Sequence, residues 1–171
     1  MANELPVLRG EQCTLRPVRD ADIPGIVAIL RDPTVARWWG EYDAARVRRD
    51  FFDDDVAAFV IEVGGEPAGV IQYSEENEPD YRHAGIDLAL AERYQGRGLG
   101  PDAIRAVARY LFEERGHHRL TIDPRAGNRN AIRAYERVGF RPVGILRQYE
   151  RGADGAWHDG LLMDLLASEL R

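Results

Sequence analysis

The sequence contains a glycine-rich segment that reads Gln95-Gly96-Arg97-Gly98-Leu99-Gly100. Alternating apolar residues before it predict a strand over residues 84–91, and apolar residues at helical spacing after it predict a helix over 101–115. At such a junction the unpaired amide groups and the helix dipole attract anions, and glycine lets the backbone approach a phosphate closely. The segment is therefore expected to hold a pyrophosphate. A turn that only tightens the connection between strand and helix is the alternative.

A dinucleotide-binding fingerprint fits this segment poorly. A Gly-x-Gly-x-x-Gly pattern that began at Gly96 would need glycine at Pro101. Such a fingerprint also follows the first strand of a parallel fold, whereas three predicted strands precede the strand that leads to Gly96. We therefore expect a phosphate-bearing cofactor other than a dinucleotide.

The remaining chain alternates strands and helices without a repeat, a low-complexity tract or a linker. Further strands are expected over residues 13–19, 57–63, 68–73, 120–122, 141–146 and 161–166. Further helices are expected between a cap at Asp20 or Asp22 and Asp32-Pro33, over residues 43–52, and between a cap at Asn128 or Asn130 and Gly139. Trp38 and Trp39 are expected in the turn before the second of these helices. The pattern predicts one domain, residues 1–171, of mixed α/β structure with a mainly antiparallel sheet.

The composition excludes several kinds of chemistry. The chain has 171 residues, and its single cysteine, Cys13, excludes an intrachain disulfide and multi-cysteine metal sites. All 23 of its Lys and Arg residues are arginine, which excludes a Schiff-base lysine and a P-loop lysine. Apolar stretches stay well short of the roughly 18 residues of a membrane span. We expect a cytoplasmic protein without a membrane partner, and no His or acid spacing indicates a metal site.

The charges are distributed unevenly along the chain. The net charge is −6, but residues 32–87 hold 14 acids and 5 arginines, whereas residues 93–151 hold 13 arginines and 6 acids. This asymmetry suits an enzyme that binds a polyanionic cofactor on one side and a cationic substrate on the other. Two solvated faces are the alternative. The acidic balance argues against a nucleic-acid partner, and the chain is expected to act as a monomer or a homodimer.

A second segment, Asn130-Ala-Ile-Arg-Ala-Tyr-Glu-Arg-Val-Gly-Phe140, follows the glycine-rich one about 30 residues later. Together the two segments resemble the GNAT superfamily of acetyl-CoA-dependent N-acetyltransferases, closely over residues 84–140. The resemblance implies a sheet of about seven strands with about four helices, in which the central strands splay apart. It also implies that residues 95–100 wrap the pyrophosphate of acetyl-CoA, and that backbone groups near Leu90 meet the pantetheine.

The same resemblance implies roles for two residues of the second segment. Tyr135 matches a tyrosine that protonates the departing thiolate, although its place on the apolar face of the predicted helix also suits a core residue. Asn130 is interpreted as a helix cap, a cofactor contact or both. Arginines near both segments are expected to supply positive potential for the phosphates of the cofactor. These are Arg97, Arg129, Arg133 and Arg137.

A narrower resemblance lies in Trp38-Trp39-Gly40, Gly65-Glu-Pro67, Gly85-Ile-Asp87 and Asp123-Pro124. With gaps over residues 36–140, these segments are similar to bacterial aminoglycoside 6'-N-acetyltransferases, although the loop over residues 74–83 is shorter than in that family. The resemblance implies that the acceptor is a small cationic amine, an aminoglycoside. The implied substrate-binding residues are Trp38, Trp39, Glu75, Glu76, Asp80, Asp87 and Asp123. Among them, Asp87 matches a carboxylate that acts as a base or orients the amine.

Other interpretations stay open at this point. Trp38 and Trp39 suit stacking on sugar rings, but also ordinary packing, and Asp87 suits an exposed strand position. The hairpin around residues 155–165 also resembles that of acetyltransferases of ribosomal-protein N-termini, which makes a protein N-terminus the second candidate acceptor. A non-catalytic acyl-CoA sensor on the same fold is a third possibility, against which the presence of both Asp87 and Tyr135 argues.

Overall fold

The computed structural model describes residues 4–171, and eight strands in it form one mixed sheet. The strands are β1 (Leu8–Arg9), β2 (Thr14–Pro17), β3 (Val56–Val63), β4 (Glu66–Glu76), β5 (His83–Leu90), β6 (Arg119–Ile122), β7 (Arg141–Arg151) and β8 (Trp157–Leu166). Their order across the sheet is β1-β2-β3-β4-β5-β6-β8-β7, and every pairing is antiparallel except that of β5 with β6. The predicted sheet class is confirmed. The eighth strand, β1, is a two-residue strand that the sequence pattern did not predict.

Five α-helices accompany the sheet, one more than expected. They are α1 (Ile23–Arg31), α2 (Pro33–Trp39), α3 (Ala44–Phe51), α4 (Leu99–Glu113) and α5 (Arg129–Val138). The additional helix, α2, begins where α1 was predicted to stop, because Asp32 caps it by accepting from the Thr34 amide and Pro33 suits a first helical position. The prediction that Trp38 and Trp39 lie in a turn was therefore wrong, since both end α2. Among residues 4–171, no helix combines the length and apolarity needed to cross a bilayer.

Apolar side chains fill both faces of the sheet. On one face, α4 and α5 pack against the sheet around Phe59, Ile71 and Leu120. On the other face, α1 and α3 pack around Ile26 and Phe51. Helices on both sides hold the central strands rigidly, so side chains at the ends of these strands have fixed positions.

The central strands β5 and β6 separate after a short stretch of pairing. They pair only at Ala84 with Leu120 and at Gly85 with Thr121. Beyond these pairs β5 continues to Leu90, still paired with β4, while β6 is held on its other side by β8. The predicted splay is thus present, and it opens a wedge in the middle of the sheet.

Candidate active site

The glycine-rich loop connects β5 to α4 and presents unpaired amides. Gly96 and Gly98 have φ angles of +72° and +81°, a conformation that favours glycine. Within residues 4–171, the amides of Gly96, Arg97 and Gly98 donate to no other backbone group. Leu99 and Gly100 then begin α4, whose first amides point out of the helix. A phosphate group fits this arrangement, because it supplies the acceptors that these amides lack.

Gln95 has a structural part in this loop. Its Nε2 donates to the Leu90 carbonyl at 2.9 Å and to the Thr34 hydroxyl of α2 at 3.0 Å. Asp32 makes a second connection, because its Oδ2 accepts from the Glu92 amide at 2.9 Å. The bonds to Thr34 and Asp32 connect the loop to α2. The predicted contact of the Gln95 side chain with the cofactor stays a prediction.

The start of α5 faces the same region as the loop. Asn128, and not Asn130, caps the helix, with its Oδ1 accepting from the Ala131 amide at 3.3 Å. Asn130 is exposed and lines the cleft beside Arg133 and Arg137. These arginines and the exposed Arg97 give this half of the cleft the positive charge that a triply phosphorylated cofactor requires. The residues present therefore fit acetyl-CoA.

A continuous cleft of about 1200 Å³ extends from the glycine-rich loop, past the wedge between β5 and β6, to Asp87 and Asp123. One end is bounded by Gly96, Gly98 and the arginines of α5. The other end is bounded by α2, by the two aspartates and by Glu150 of β7. The cleft therefore joins a cationic end to an acidic end, where five carboxylates outnumber four arginines. The carboxylates are Asp50, Asp53, Asp87, Asp123 and Glu150, and the arginines are Arg37, Arg46, Arg49 and Arg125.

Asp87 projects from β5 into the acidic end. It lies opposite Gln72 of β4 in the register, and its Oδ1 accepts from the Leu88 amide at 3.0 Å. The side chain keeps access to solvent, but protein atoms surround it on the floor of the cleft. This partial desolvation, together with the charges of Asp123 and Glu150, raises the pKa of Asp87 to about 7. With this raised pKa, Asp87 is a stronger base than an ordinary aspartate and can accept a proton near neutral pH.

Asp123 follows β6 across the wedge and is held by a tyrosine. The Tyr149 hydroxyl donates to Asp123 Oδ2 at 2.6 Å, which raises the pKa of Tyr149 to about 12. Burial and the nearby charge of Glu150 raise the pKa of Asp123 in spite of this bond. Asp87 and Asp123 therefore repel each other across an open space, and a cation between them would relieve that repulsion.

Tyr135 lies on α5 and faces the cleft from the side of the core. Only 8% of the residue is exposed, and its ring packs at 6.4 Å from that of Phe140. Burial and the charges of Asp87 and Asp123 raise the pKa of Tyr135, so the phenol keeps its proton. It is thus both a packed residue and a cleft residue, and it is close enough to both carboxylates to be affected by their charge.

The two tryptophans have different surroundings, although both line the cleft. Trp39 stacks on Phe51 with ring centres 6.1 Å apart and tilts against Tyr42 at the same distance, so it belongs largely to the smaller core. Trp38 lies between two guanidinium groups, 4.5 Å from that of Arg37 and 5.7 Å from that of Arg125. Its ring face is therefore already covered by cations.

The acidic residues at the end of β4 lie outside the cleft. Alternation along the strand turns Glu75 to the face of α4, where its carboxylate pairs with Arg115 at 2.8 Å and with buried His117 at 2.5 Å. Glu75 is thus paired on the side of α4 and does not line the cleft, so its contact with substrate stays a prediction. Glu76 accepts from the Glu78 amide and is exposed, as is Asp80, and neither lines the cleft. Their contact with substrate stays a prediction.

Tyr149, Glu150 and Arg125 are site residues that the sequence did not indicate. Glu150 lines the cleft and Tyr149 reaches Asp123 where β7 is irregular between Leu146 and Glu150, and Gln148 in this stretch adopts a φ of +48°. A non-glycine residue in this conformation leaves no mark in the sequence. Arg125 was counted only as part of the basic half of the chain.

Comparisons with known proteins agree with this geometry. The model of the GNAT acetyltransferase domain matches residues 12–141. An aminoglycoside N(6')-acetyltransferase type 1 of Klebsiella pneumoniae is 30% identical over 157 residues, covering 80% of this chain and 77% of its own. A spermidine N(1)-acetyltransferase of Escherichia coli is 28% identical, covering 87% of this chain and 83% of its own.

A solved structure gives the same result. AAC(6')-Ib in complex with paromomycin and acetyl-CoA superposes with a TM-score of 0.77 and 26% identity, over 93% of this chain and 96% of that one. The family match, the full-length similarity and the fit of the phosphate-binding loop together identify the cosubstrate. The chain belongs to the GNAT family of acetyltransferases and is an acetyl-CoA-dependent N-acetyltransferase.

Proposed function

We propose that the enzyme acetylates the 6'-amino group of aminoglycosides. The observation that carries the proposal is the group of carboxylates at one end of the cleft, Asp87, Asp123 and Glu150. Burial, and after it the like charges within the group, raise the pKa values of the first two. An ammonium group relieves this repulsion, so the site favours a cationic acceptor. Further support comes from the aminoglycoside acetyltransferase relative and from the structural neighbour that holds paromomycin.

In the proposed reaction, the acceptor nitrogen forms a bond to the acetyl carbon of acetyl-CoA while the carbon–sulfur bond breaks. The amides of residues 96–100 and the arginines of α5 bind the phosphates. Asp123 orients the ammonium, and Asp87 accepts a first proton from it, which leaves the neutral amine that attacks. The nitrogen loses a second proton to solvent as the amide forms, while Tyr135 donates its proton to the departing sulfur. Tyr135 then recovers a proton from solvent.

The raised pKa of Asp87 makes this proton transfer feasible. An ordinary aspartate with a pKa near 3.9 would take a proton from an ammonium of pKa near 10.4 at a cost of about 9 kcal/mol. The raised pKa of Asp87 lowers this cost, and because the side chain faces solvent in the open cleft, we expect the reduction to be about 1–2 kcal/mol.

The proposal is tested by measuring thiol release from acetyl-CoA with a panel of acceptors. The panel holds kanamycin, tobramycin, spermidine and a peptide with N-terminal alanine, and NMR of the product identifies the acetylated nitrogen. We expect the highest kcat/KM with an aminoglycoside and acetylation at its 6' position. The Asp87→Asn variant should lose turnover, whereas Asp54→Asn, which removes an exposed carboxylate outside the cleft, should not.

Other outcomes identify other functions. A higher kcat/KM with spermidine or with the peptide would replace the aminoglycoside as acceptor and leave the acetyltransferase activity in place. Binding of acetyl-CoA without thiol release with any amine would indicate a sensor of acyl-CoA and contradict the proposed reaction.

A further inference from the structure

Arg125 is a positive charge in the acidic end of a cleft that should receive a cation. It lies two residues after Asp123, in the loop between β6 and α5, and only 14% of its side chain is exposed. Its Nε donates to Glu150 Oε1 at 2.6 Å, and its Nη1 donates to the Arg37 carbonyl at 3.3 Å. Its guanidinium carbon lies 5.7 Å from the ring centre of Trp38, and that of Arg37 lies 4.5 Å from the same ring.

These partners form a complete cation site. A carboxylate, a carbonyl oxygen and the face of an indole ring are the groups that bind guanidinium and ammonium ions. They come from two separate elements, since Trp38 and Arg37 lie on α2 and Glu150 lies on β7. The chain has thus built a cation site at the acceptor end and has filled it with its own side chain.

The filled site adjoins the reacting centre. Trp38, Arg125 and Glu150 line the same cleft as Asp87 and Asp123. The charge of Glu150 acts on both aspartates. An acceptor held by one ammonium at Asp87 would therefore bring a second cationic group of the same molecule toward Glu150.

We propose that Arg125 is a specificity-determining residue, an internal cation that occupies the subsite of Trp38 and Glu150 and must be displaced by an acceptor whose second ammonium reaches it. This inference rests on the proposed function, in that the acceptor amine reacts at Asp87. The side chain raises the KM of polycationic acceptors, because the competent, open form of the subsite is only a minor population. It leaves acceptors with a single ammonium unaffected.

The first experiment compares kinetic constants at saturating acetyl-CoA. In Arg125→Ala, the KM for kanamycin should fall about five- to thirtyfold while kcat changes by less than about twofold. The gain should vanish in Arg125→Ala/Glu150→Gln, which lacks the carboxylate of the subsite, and it should be partial in Arg125→Lys, which keeps a cation. Arg147→Ala, which removes an exposed arginine of β7 outside the cleft, should keep the wild-type KM.

The second experiment restores the missing group chemically. Methylguanidinium added to Arg125→Ala should raise the KM for kanamycin toward the wild-type value, whereas NaCl at the same ionic strength should have a smaller effect. In the absence of any acceptor, methylguanidinium should shift the indole NH signal of Trp38 in Arg125→Ala but not in the wild-type enzyme.

The outcomes separate this inference from the proposed function. Suppose that Arg125→Ala has the same Tm as the wild-type enzyme, but that its KM for kanamycin is unchanged or higher. This result would overturn the inference and would mean that Arg125 only holds α2 in place. If no amine of the panel is acetylated, the proposed function fails, and the signal of Trp38 then decides the inference alone. An equal response of Trp38 to methylguanidinium in wild type and variant would refute it.

Discussion

Asp87 is expected to make the folded state less stable as the pH rises. Its pKa is about 7 in the folded protein and returns to its ordinary value of 3.8 on unfolding. The folded state therefore holds the proton more tightly, and the free energy of unfolding falls between about pH 4 and pH 7. A shift of this size has a ceiling of about 4 kcal/mol. Because the side chain faces solvent in an open cleft, we expect about 1–2 kcal/mol.

The Asp87→Asn variant removes this pH-dependent destabilisation. At pH 8 it should be more stable than the wild-type enzyme by about 1–2 kcal/mol, which corresponds to a Tm higher by roughly 3–6 °C. The difference should shrink as the pH approaches 4, where the folded wild-type protein keeps the proton. Thermal and urea denaturation at several pH values measure this, with Asp54→Asn as the control for loss of an exposed charge. If Asp87→Asn and the wild type lose stability in parallel from pH 5 to pH 8, the raised pKa is refuted.

Four other predictions follow from the site. Gly98→Val should weaken acetyl-CoA binding at least tenfold in calorimetry, because valine is strained at a φ of +81° and the strain would displace the loop amides that bind the phosphate; unchanged affinity would remove the loop from the cofactor site. Tyr135→Phe should lower kcat roughly tenfold to a thousandfold without changing acetyl-CoA affinity, and wild-type turnover with rate-limiting chemistry would make Tyr135 a packing residue only. At saturating acetyl-CoA, kcat/KM for kanamycin should fall as salt is raised from low to physiological levels, since screening weakens the attraction of the acidic end; a salt-independent value would contradict that attraction. Glu75→Ala should lower the free energy of unfolding by about 2–3 kcal/mol, because it leaves buried His117 without its carboxylate, and should keep the acceptor KM; a raised KM would return Glu75 to the substrate site.

The parts of the fold that were predicted correctly have local causes. The glycine-rich loop, α4, α5 and the hairpin of β3 and β4 each carry their own signals, namely positive-φ glycines, caps and apolar periodicity. The extra helix α2 was missed because Asp32-Pro33 was interpreted only as a stop. The same two residues also start a helix, because Asp32 caps α2. Asp32 is in addition held by the amide of Glu92, 60 residues away, and this contact cannot be foreseen from the local sequence.

The acceptor end of the site was less predictable because it depends on long-range geometry. Neighbouring acids of β4 point to opposite faces, so a shift of one residue decides whether Glu75 meets the substrate or His117. Glu150 reaches the cleft, and Tyr149 reaches Asp123, through an irregularity of β7 at Gln148. Arg125 becomes a site residue only when α2, β6 and β7 meet around it. Charge composition predicted the acidic character of this end but not the arginine placed within it.

Two hydrogen bonds connect the glycine-rich loop to α2, the helix that bears Trp38 and Trp39. They are the bond of Gln95 to Thr34 and the bond of the Glu92 amide to Asp32, and Gln95 is itself held by the Leu90 carbonyl. A molecule that orders the loop thereby also orders α2, which forms a wall of the acceptor end. The entropy lost on the first binding event is then not lost again on the second. Occupancy of one end of the cleft strengthens binding at the other, and this strengthening is equal in both directions. The enzyme should therefore show positive cooperativity between its two substrates, whichever of them binds first.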